Sequence, residues 1–300
     1  MVARANRLWL LLAIALQLLG VLARAQRWVV LLNNKGRLRD AFWAQGVGYL
    51  FTNVFPLRMG EPARVLIMGQ RSKLPIMQVA ASAIVERVLD VATIVLVLVL
   101  VLPWMDVPPL VKRTGIIFAA LSLAAITTLV FAVRFRLQSE RFLEFVCRRI
   151  RVLPAESIVR WWKELVVGFT PLTQLEVAMR SVGWALAAWA ASIATYWCVL
   201  RAFQPDASVI EASFMVVALA FAVTVPSSPG FLGVFQLVGQ QALVLPFGAK
   251  YEATTAMAIT MTAYLIYYLL TTILGIIGLW QLGQSFAKVG RMLSRTKPGH

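Results

Sequence analysis

Five uninterrupted apolar runs, at about residues 8–25, 77–102, 114–133, 182–201 and 254–281, constrain this chain more than any other feature. Each approaches or exceeds the ~20 residues a helix needs to cross a bilayer. Lipid offers no partner to a bare backbone amide, so only helices and closed barrels span it, and these runs lack the alternation of barrel strands. Charged residues make up only 14% of the sequence, against about 25% in soluble domains. The fold class is therefore all-α: a polytopic helical integral membrane protein, expected to form one transmembrane domain over 1–300.

Two further apolar stretches are interrupted by helix breakers. The first covers 41–57, ends at Pro56 and continues as an amphipathic segment over 62–76. The second covers 209–247 and is split by Val-Pro-Ser-Ser-Pro-Gly at 225–230. Each reads either as a re-entrant hairpin or as a pair of short spans. Both alternatives cross an even number of times, so the orientation of the five full spans is unaffected. Five Lys/Arg in 24–39, nine in 134–180 and four after 282 fall on one side when those spans alternate. By the positive-inside bias that side is the cytoplasm, giving a multi-pass protein with a cytoplasmic C-terminus. The two breaks then open from opposite faces. That is the arrangement of an inverted repeat whose discontinuous helices meet near the midplane.

The N-terminal run, with Arg4, Arg7 and Ala23-Arg24-Ala25, resembles a secretory signal. The basic residues that follow, Arg27, Lys35, Arg37 and Arg39, favour an uncleaved anchor leading into a cytoplasmic loop over 24–39. An odd number of spans leaves Arg4 and Arg7 outside, a small departure from the charge bias that a further helix before residue 1 would remove. Within 134–180, Trp161 and Trp162 stand among Arg160 and Lys163 at helical spacing. This segment reads as a helix at headgroup level, with a partner-docking surface as the alternative.

The formal charge of +16 lies mainly between apolar runs, where anionic headgroups account for it; no groove-reading element is present, so nucleic acid is not an expected partner. The single histidine is His300, and Cys147 and Cys198 fall in different segments without ligand spacing. No metal, cofactor or catalytic residue is expected, and no GxxxxGK[ST] phosphate loop occurs.

The charged residues that remain are concentrated. Arg58, Glu61, Arg64, Glu86, Arg87 and Asp90 lie between residues 58 and 90. Glu86 and Asp90, at i and i+4, share one face of the 77–102 helix with Ser82 a turn below; Arg87 is rotated about 100° away. Ionisable groups inside a span face the bundle interior or a cavity and mark binding sites by default. Two carboxylates and one arginine are not mutually neutral, so another cation is required, and Arg58 and Arg64 are the natural candidates. The plainer alternative is a buried ion-pair network that only fixes helix packing. At the second break, Ser227, Ser228, Gly230 and Gly233 precede a helix whose free N–H groups and positive dipole end could hold an anion, with Gln236, Gln240 and Gln241 on the following turns. The alternative there is a turn whose small residues let helices pack.

These residues carry a family resemblance. "RAQRWVVLL", "VGYLFTNVFPLRMGEPARVL", "ASAIVERVLDV" and "VPSSPGFLGVFQ" occur in the order and spacing of the transmembrane domain of lysylphosphatidylglycerol synthases. That domain also occurs in stand-alone flippase-like (UPF0104) proteins, and the resemblance covers about 10–281. It implies a membrane domain with re-entrant helices that moves phospholipid, aminoacylated or not, between leaflets. It places Asn53, Pro56, Arg58, Gly60, Glu61, Arg64, Glu86, Arg87 and Asp90 in the family's polar centre, and Pro226, Pro229, Gly230 and Gly233 in its second break. Gln236 departs from the pattern, standing where many relatives have glutamate. The family's usual first helix and the soluble aminoacyl-transferring domain are expected to be absent.

The expected function is a non-enzymatic, flippase-like transporter of phospholipid with an anionic or aminoacylated headgroup. Arg58, Arg64 and Arg87 would meet the phosphate; Glu61, Glu86 and Asp90 would balance them or accept an ammonium. The alternative is a non-transporting scaffold or accessory subunit for an envelope lipid or glycan synthesis enzyme.

Overall fold

The computed structural model describes residues 5–55, 59–105, 155–224 and 228–295, with scattered helical positions between 113 and 138. Ten α-helices and no strand occur among the described residues: α1 (Arg7–Leu31), α2 (Leu38–Val54), α3 (Gly60–Ser72), α4 (Ile76–Val101), α5 (Ala155–Phe169), α6 (Leu175–Phe203), α7 (Val209–Ala222), α8 (Val234–Phe247), α9 (Ala253–Gln281) and α10 (Phe286–Arg295). Among the described residues, four segments are long and apolar enough to cross a membrane: Arg7–Leu31, Leu175–Phe203, Pro229–Phe247 and Ala253–Gln281. The third is interrupted by positive φ at Gly230, Phe231 and Gly233. Helix α4 has 26 residues, and its only ionisable groups, Glu86, Arg87 and Asp90, sit together near its middle. The expected span at 114–133 lies largely outside the described residues, as does "RFLEFVCRRI".

Contacts fix the relative sense of the helices. Asn6 N–H donates to the Ala202 carbonyl at 2.9 Å, and a Cβ on Gly20 would lie 3.8 Å from the Ala188 carbonyl, so α1 and α6 run antiparallel. Arg27 reaches Glu86 and Asp90 while Trp28 reaches Ser82, and Leu31 clusters with Ala81 and Val85; α4 returns antiparallel to α1. Helices α2 and α9 are antiparallel as well. Gly46 abuts Leu274, Gly275 abuts Leu50, and Gly278 abuts the Trp43 carbonyl, small residues that let two backbones approach where lipid supplies no hydrophobic drive.

These senses settle the two interrupted stretches. Gly36, before α2, lies against Met68, near the end of α3, so the first hairpin leaves by the face it entered. Glu211, in the first turn of α7, pairs with Lys250, just beyond α8, so the second hairpin does the same. At ~1.5 Å per residue, helices of 13 to 17 residues reach about 20–25 Å, short of a ~30 Å hydrocarbon core. Each stretch is a hairpin of two short helices that returns to its own face. They enter from opposite faces, because α2 follows the end of α1 and α7 follows the end of the antiparallel α6. Their tips meet: a Cβ on Gly230 would lie 3.3 Å from the Asn53 carbonyl, a closeness that, with φ +63°, requires glycine there. Helix, hairpin, helix thus occurs twice, in opposite sense, as α1–α4 and as α6–α9.

The expected loop over 24–39 needs correction. Helix α1 continues to Leu31, so Arg24 and Arg27 are inside it, and only Lys35, Arg37 and Arg39 belong to the face beyond. That face also carries α10, which docks on the first hairpin through stacked Phe51 and Phe286 rings 5.2 Å apart. Helix α5 packs beside the start of α4, with Gly168 against Ala81; Trp161 stays exposed.

Candidate functional site

The first hairpin brings α3 against α2 through a pair of glycines. A Cβ on Gly60 would lie 1.9 Å from the Gly48 carbonyl oxygen, so nothing larger fits. This close approach sets Glu61 and Arg64, in the first turns of α3, against Glu86, Arg87 and Asp90 on α4. Arg27 of α1 completes the group.

Six side chains form a closed ring of alternating charge. Arg27 donates through Nη1 to Asp90 Oδ1 at 2.7 Å and through Nη2 to Glu86 Oε1 at 2.9 Å. Glu86 Oε2 accepts from Arg64 Nη1 at 2.7 Å. Arg64 Nε donates to Glu61 Oε2 at 2.8 Å, Glu61 Oε1 is 3.0 Å from Arg87 Nη2, and Arg87 Nη1 is 3.5 Å from Asp90 Oδ2. Three guanidiniums face three carboxylates, so the ring is neutral, which is what a low-dielectric interior demands of buried charge. Neutral groups take up further hydrogen-bonding capacity. Gln45 Oε1 accepts from Arg64 Nη1 at 3.0 Å, Trp189 Nε1 donates to Asp90 Oδ1 at 3.0 Å, and the Trp28 ring lies 4.7 Å beneath the Arg64 guanidinium.

Exposure divides the ring. The Arg27 and Glu86 side chains are fully buried and Arg64 is 3% exposed, whereas Arg87 is 50% exposed. Arg87 lies between two adjoining cavities. One, of about 200 Å³, is lined by Arg24, Arg87, Asp90, Trp189, Ser192 and Phe231 among others. The second, of about 130 Å³, is lined by Thr52, Gly60, Glu61, Arg64 and Arg87. Tyr49, Tyr267, Val223 and Phe231 belong to both walls, so each cavity is lined by residues of both hairpins.

Of the residues singled out from sequence, Glu61, Arg64, Glu86, Arg87 and Asp90 are brought together. Arg58, Pro56, Pro226 and Ser227 lie outside the described residues. The cations facing Glu86 and Asp90 include Arg64, as expected, and Arg27, which was not among the candidates. Asn53 is not in the ring: its amide donates to Thr271 and Thr272 on α9, both at 3.0 Å, which anchors the first tip. At the second tip Ser228 is exposed and its hydroxyl donates to the Leu232 carbonyl. Helix α8 begins at Val234 rather than near Gly230, and the Gln236 side chain accepts from Gly233 N–H at 2.7 Å. Gln236 thus caps its own helix, taking one of the N–H groups expected to face an anion. Gln240 donates to the Ala253 carbonyl at the far end of α8, away from the tip. Arg27 carried one available signal: the apolar residues flanking it, Trp28-Val29-Val30, continue the α1 period beyond Ala25.

The fold and site define a class: a multi-pass helical membrane protein in which two re-entrant hairpins meet beside a buried, charge-neutral ring. The family model for the lysylphosphatidylglycerol synthase TM region matches residues 1–275, and the chain belongs to that family. Its work is thereby tied to membrane lipid. Neither a curated protein nor a solved structure matches the chain.

Proposed function

We propose that this chain is a flippase-like, non-enzymatic transporter of phospholipid in the bacterial inner membrane, with its basic face and C-terminus in the cytoplasm. The observation that carries this reading is the pair of adjoining cavities lined by both hairpins and by charged side chains, with Arg87 half exposed between them. Discontinuous helices meeting at a polar centre are the usual construction of a transport site. The headgroup enters the cavities while the acyl chains stay in the bilayer. Arg87 meets the phosphate as a charge-assisted donor, and the mutually paired Arg27, Arg64 and Glu86 hold the first hairpin in register.

Reconstitution into liposomes containing fluorescent phospholipid, with a membrane-impermeant quencher outside, tests this. Wild type is expected to expose inner-leaflet lipid faster than protein-free vesicles, and Arg87→Ala and Glu86→Gln are expected to slow it. If all three proteins behave as empty vesicles, the reading fails.

A further inference from the structure

Arg24 stands outside the ring. It lies one turn before Arg27 on α1, deeper into the span, and its contacts are neutral. Nη2 donates to Ser192 Oγ at 2.9 Å, and the guanidinium lies over the Trp189 ring, 5.7 Å from its centroid. No described carboxylate forms an ion pair with it. Since the ring is neutral, the described residues give the wall of the 200 Å³ cavity a net charge of +1, the Asp90 carboxylate that acts on Arg24 being already paired in the ring. A lone cation in a spanning segment is costly unless an anion meets it. Arg87 lines the same cavity with donors to spare, its ring contacts being 3.0 and 3.5 Å at two of five N–H groups. Trp189 joins the two arginines, its ring facing Arg24 and its Nε1–H bound to Asp90 beside Arg87.

We propose that Arg24 and Arg87 form a clamp for one phosphodiester monoanion, which makes the site select headgroups of net negative charge over zwitterions. An incoming ammonium finds no carboxylate free: Glu61, Glu86 and Asp90 are each already held by two arginines. The inference rests on the headgroup-cavity reading above, but it assigns the anion to Arg24, a residue that reading does not use.

The test is calorimetric titration of the purified full chain in a neutral maltoside. The probes are dioctanoyl phosphatidylglycerol, dioctanoyl phosphatidylcholine and the water-soluble diester glycerophosphoglycerol. Phosphatidylglycerol is expected to bind saturably and at least about tenfold more tightly than phosphatidylcholine, whose ammonium brings a second positive charge beside Arg24 and Arg87 and meets no free carboxylate. Arg24→Gln is expected to weaken phosphatidylglycerol by about tenfold or more. Ser192→Asp, which gives Arg24 its own carboxylate, is expected to abolish phosphatidylglycerol binding without lowering the unfolding temperature, so the test survives if Arg24→Gln does not fold. Arg180→Gln, at an exposed position on α6, is expected to bind as wild type. Glycerophosphoglycerol binding as tightly as the lipid supports the anion clamp and identifies a soluble ester as its source. Equal affinity for the two lipids, no saturable binding by wild type, or unchanged binding in Ser192→Asp overturns the clamp, even if vesicles show lipid movement. Arg24-dependent binding by a protein that moves no lipid overturns the transport reading and leaves the clamp standing.

Discussion

Arg27 Nη2 lies 2.9 Å from Glu86 Oε1, and neither side chain has any exposed surface. A cation on the first helix is thereby locked to an anion in the middle of α4. Removing Arg27 alone, as in Arg27→Met, leaves Glu86 and Asp90 buried with one arginine fewer each, at a cost of about 3–5 kcal/mol. Removing both, as in Arg27→Met/Glu86→Leu, leaves Arg64, Glu61, Arg87 and Asp90 as a neutral chain. The double variant is expected to be more stable than either single one, measured as unfolding in detergent by tryptophan fluorescence.

Gly60 and Gly183 make a contrasting pair. Gly60→Ala drives a Cβ into the Gly48 carbonyl, backbone against backbone, and is expected to cost at least about 1–3 kcal/mol. Gly183, inside α6, has nothing within 4 Å of the same position. Gly183→Ala is expected to be neutral or to stabilise by up to about 1 kcal/mol through helix propensity. Thermal unfolding of the two variants reads the difference.

On the opposite face, in the turn between α8 and α9, the Tyr251 hydroxyl donates to Glu211 Oε2. Burial first, then this hydrogen bond and the carboxylate's charge, raise the phenol above its usual value near 10. The folded chain therefore holds that proton more tightly than the unfolded one. The resulting stability is complete below about pH 10 and is lost as pH rises further. Tyr251→Phe is expected to be less stable by about 1–3 kcal/mol near neutrality, with the gap to wild type closing above pH 10.

Re-entrant hairpins have a labelling signature. In a background carrying Cys147→Ser and Cys198→Ala, single cysteines at Asn34, Lys73 and Ser285 are expected to react with an impermeant maleimide from the cytoplasmic side. Cysteines at Asp206 and Lys250 are expected to react from the other. If Asn34→Cys and Lys73→Cys label from opposite sides, the first hairpin crosses the membrane and the topology is wrong.

The helices, their interruptions and part of the site were legible in the sequence because the signals are local. Apolar length sets a span, Pro56 and the Pro/Gly cluster at 226–230 end helices wherever they fall, and i,i+4 spacing puts Glu86 and Asp90 on one face. Which helix ends lie side by side, as those carrying Glu211 and Lys250 do, was not legible, since that depends on packing between elements. Arg24 and Arg27 looked like the start of a basic loop. A charge count does not separate an arginine in the last turns of a span from one just beyond it, and only the antiparallel packing of α1 with α4 and α6 assigns Arg27 to Glu86 and Asp90 and Arg24 to the cavity wall. Gln236 likewise has the residue type of a ligand and the position of a cap. By itself the sequence determined that charge would be buried among these helices; the tertiary structure decided which charges cancel. The physical reason is that ion pairing in lipid is set by ångström-scale distances between elements far apart in the chain, here 59 residues from Arg27 to Glu86.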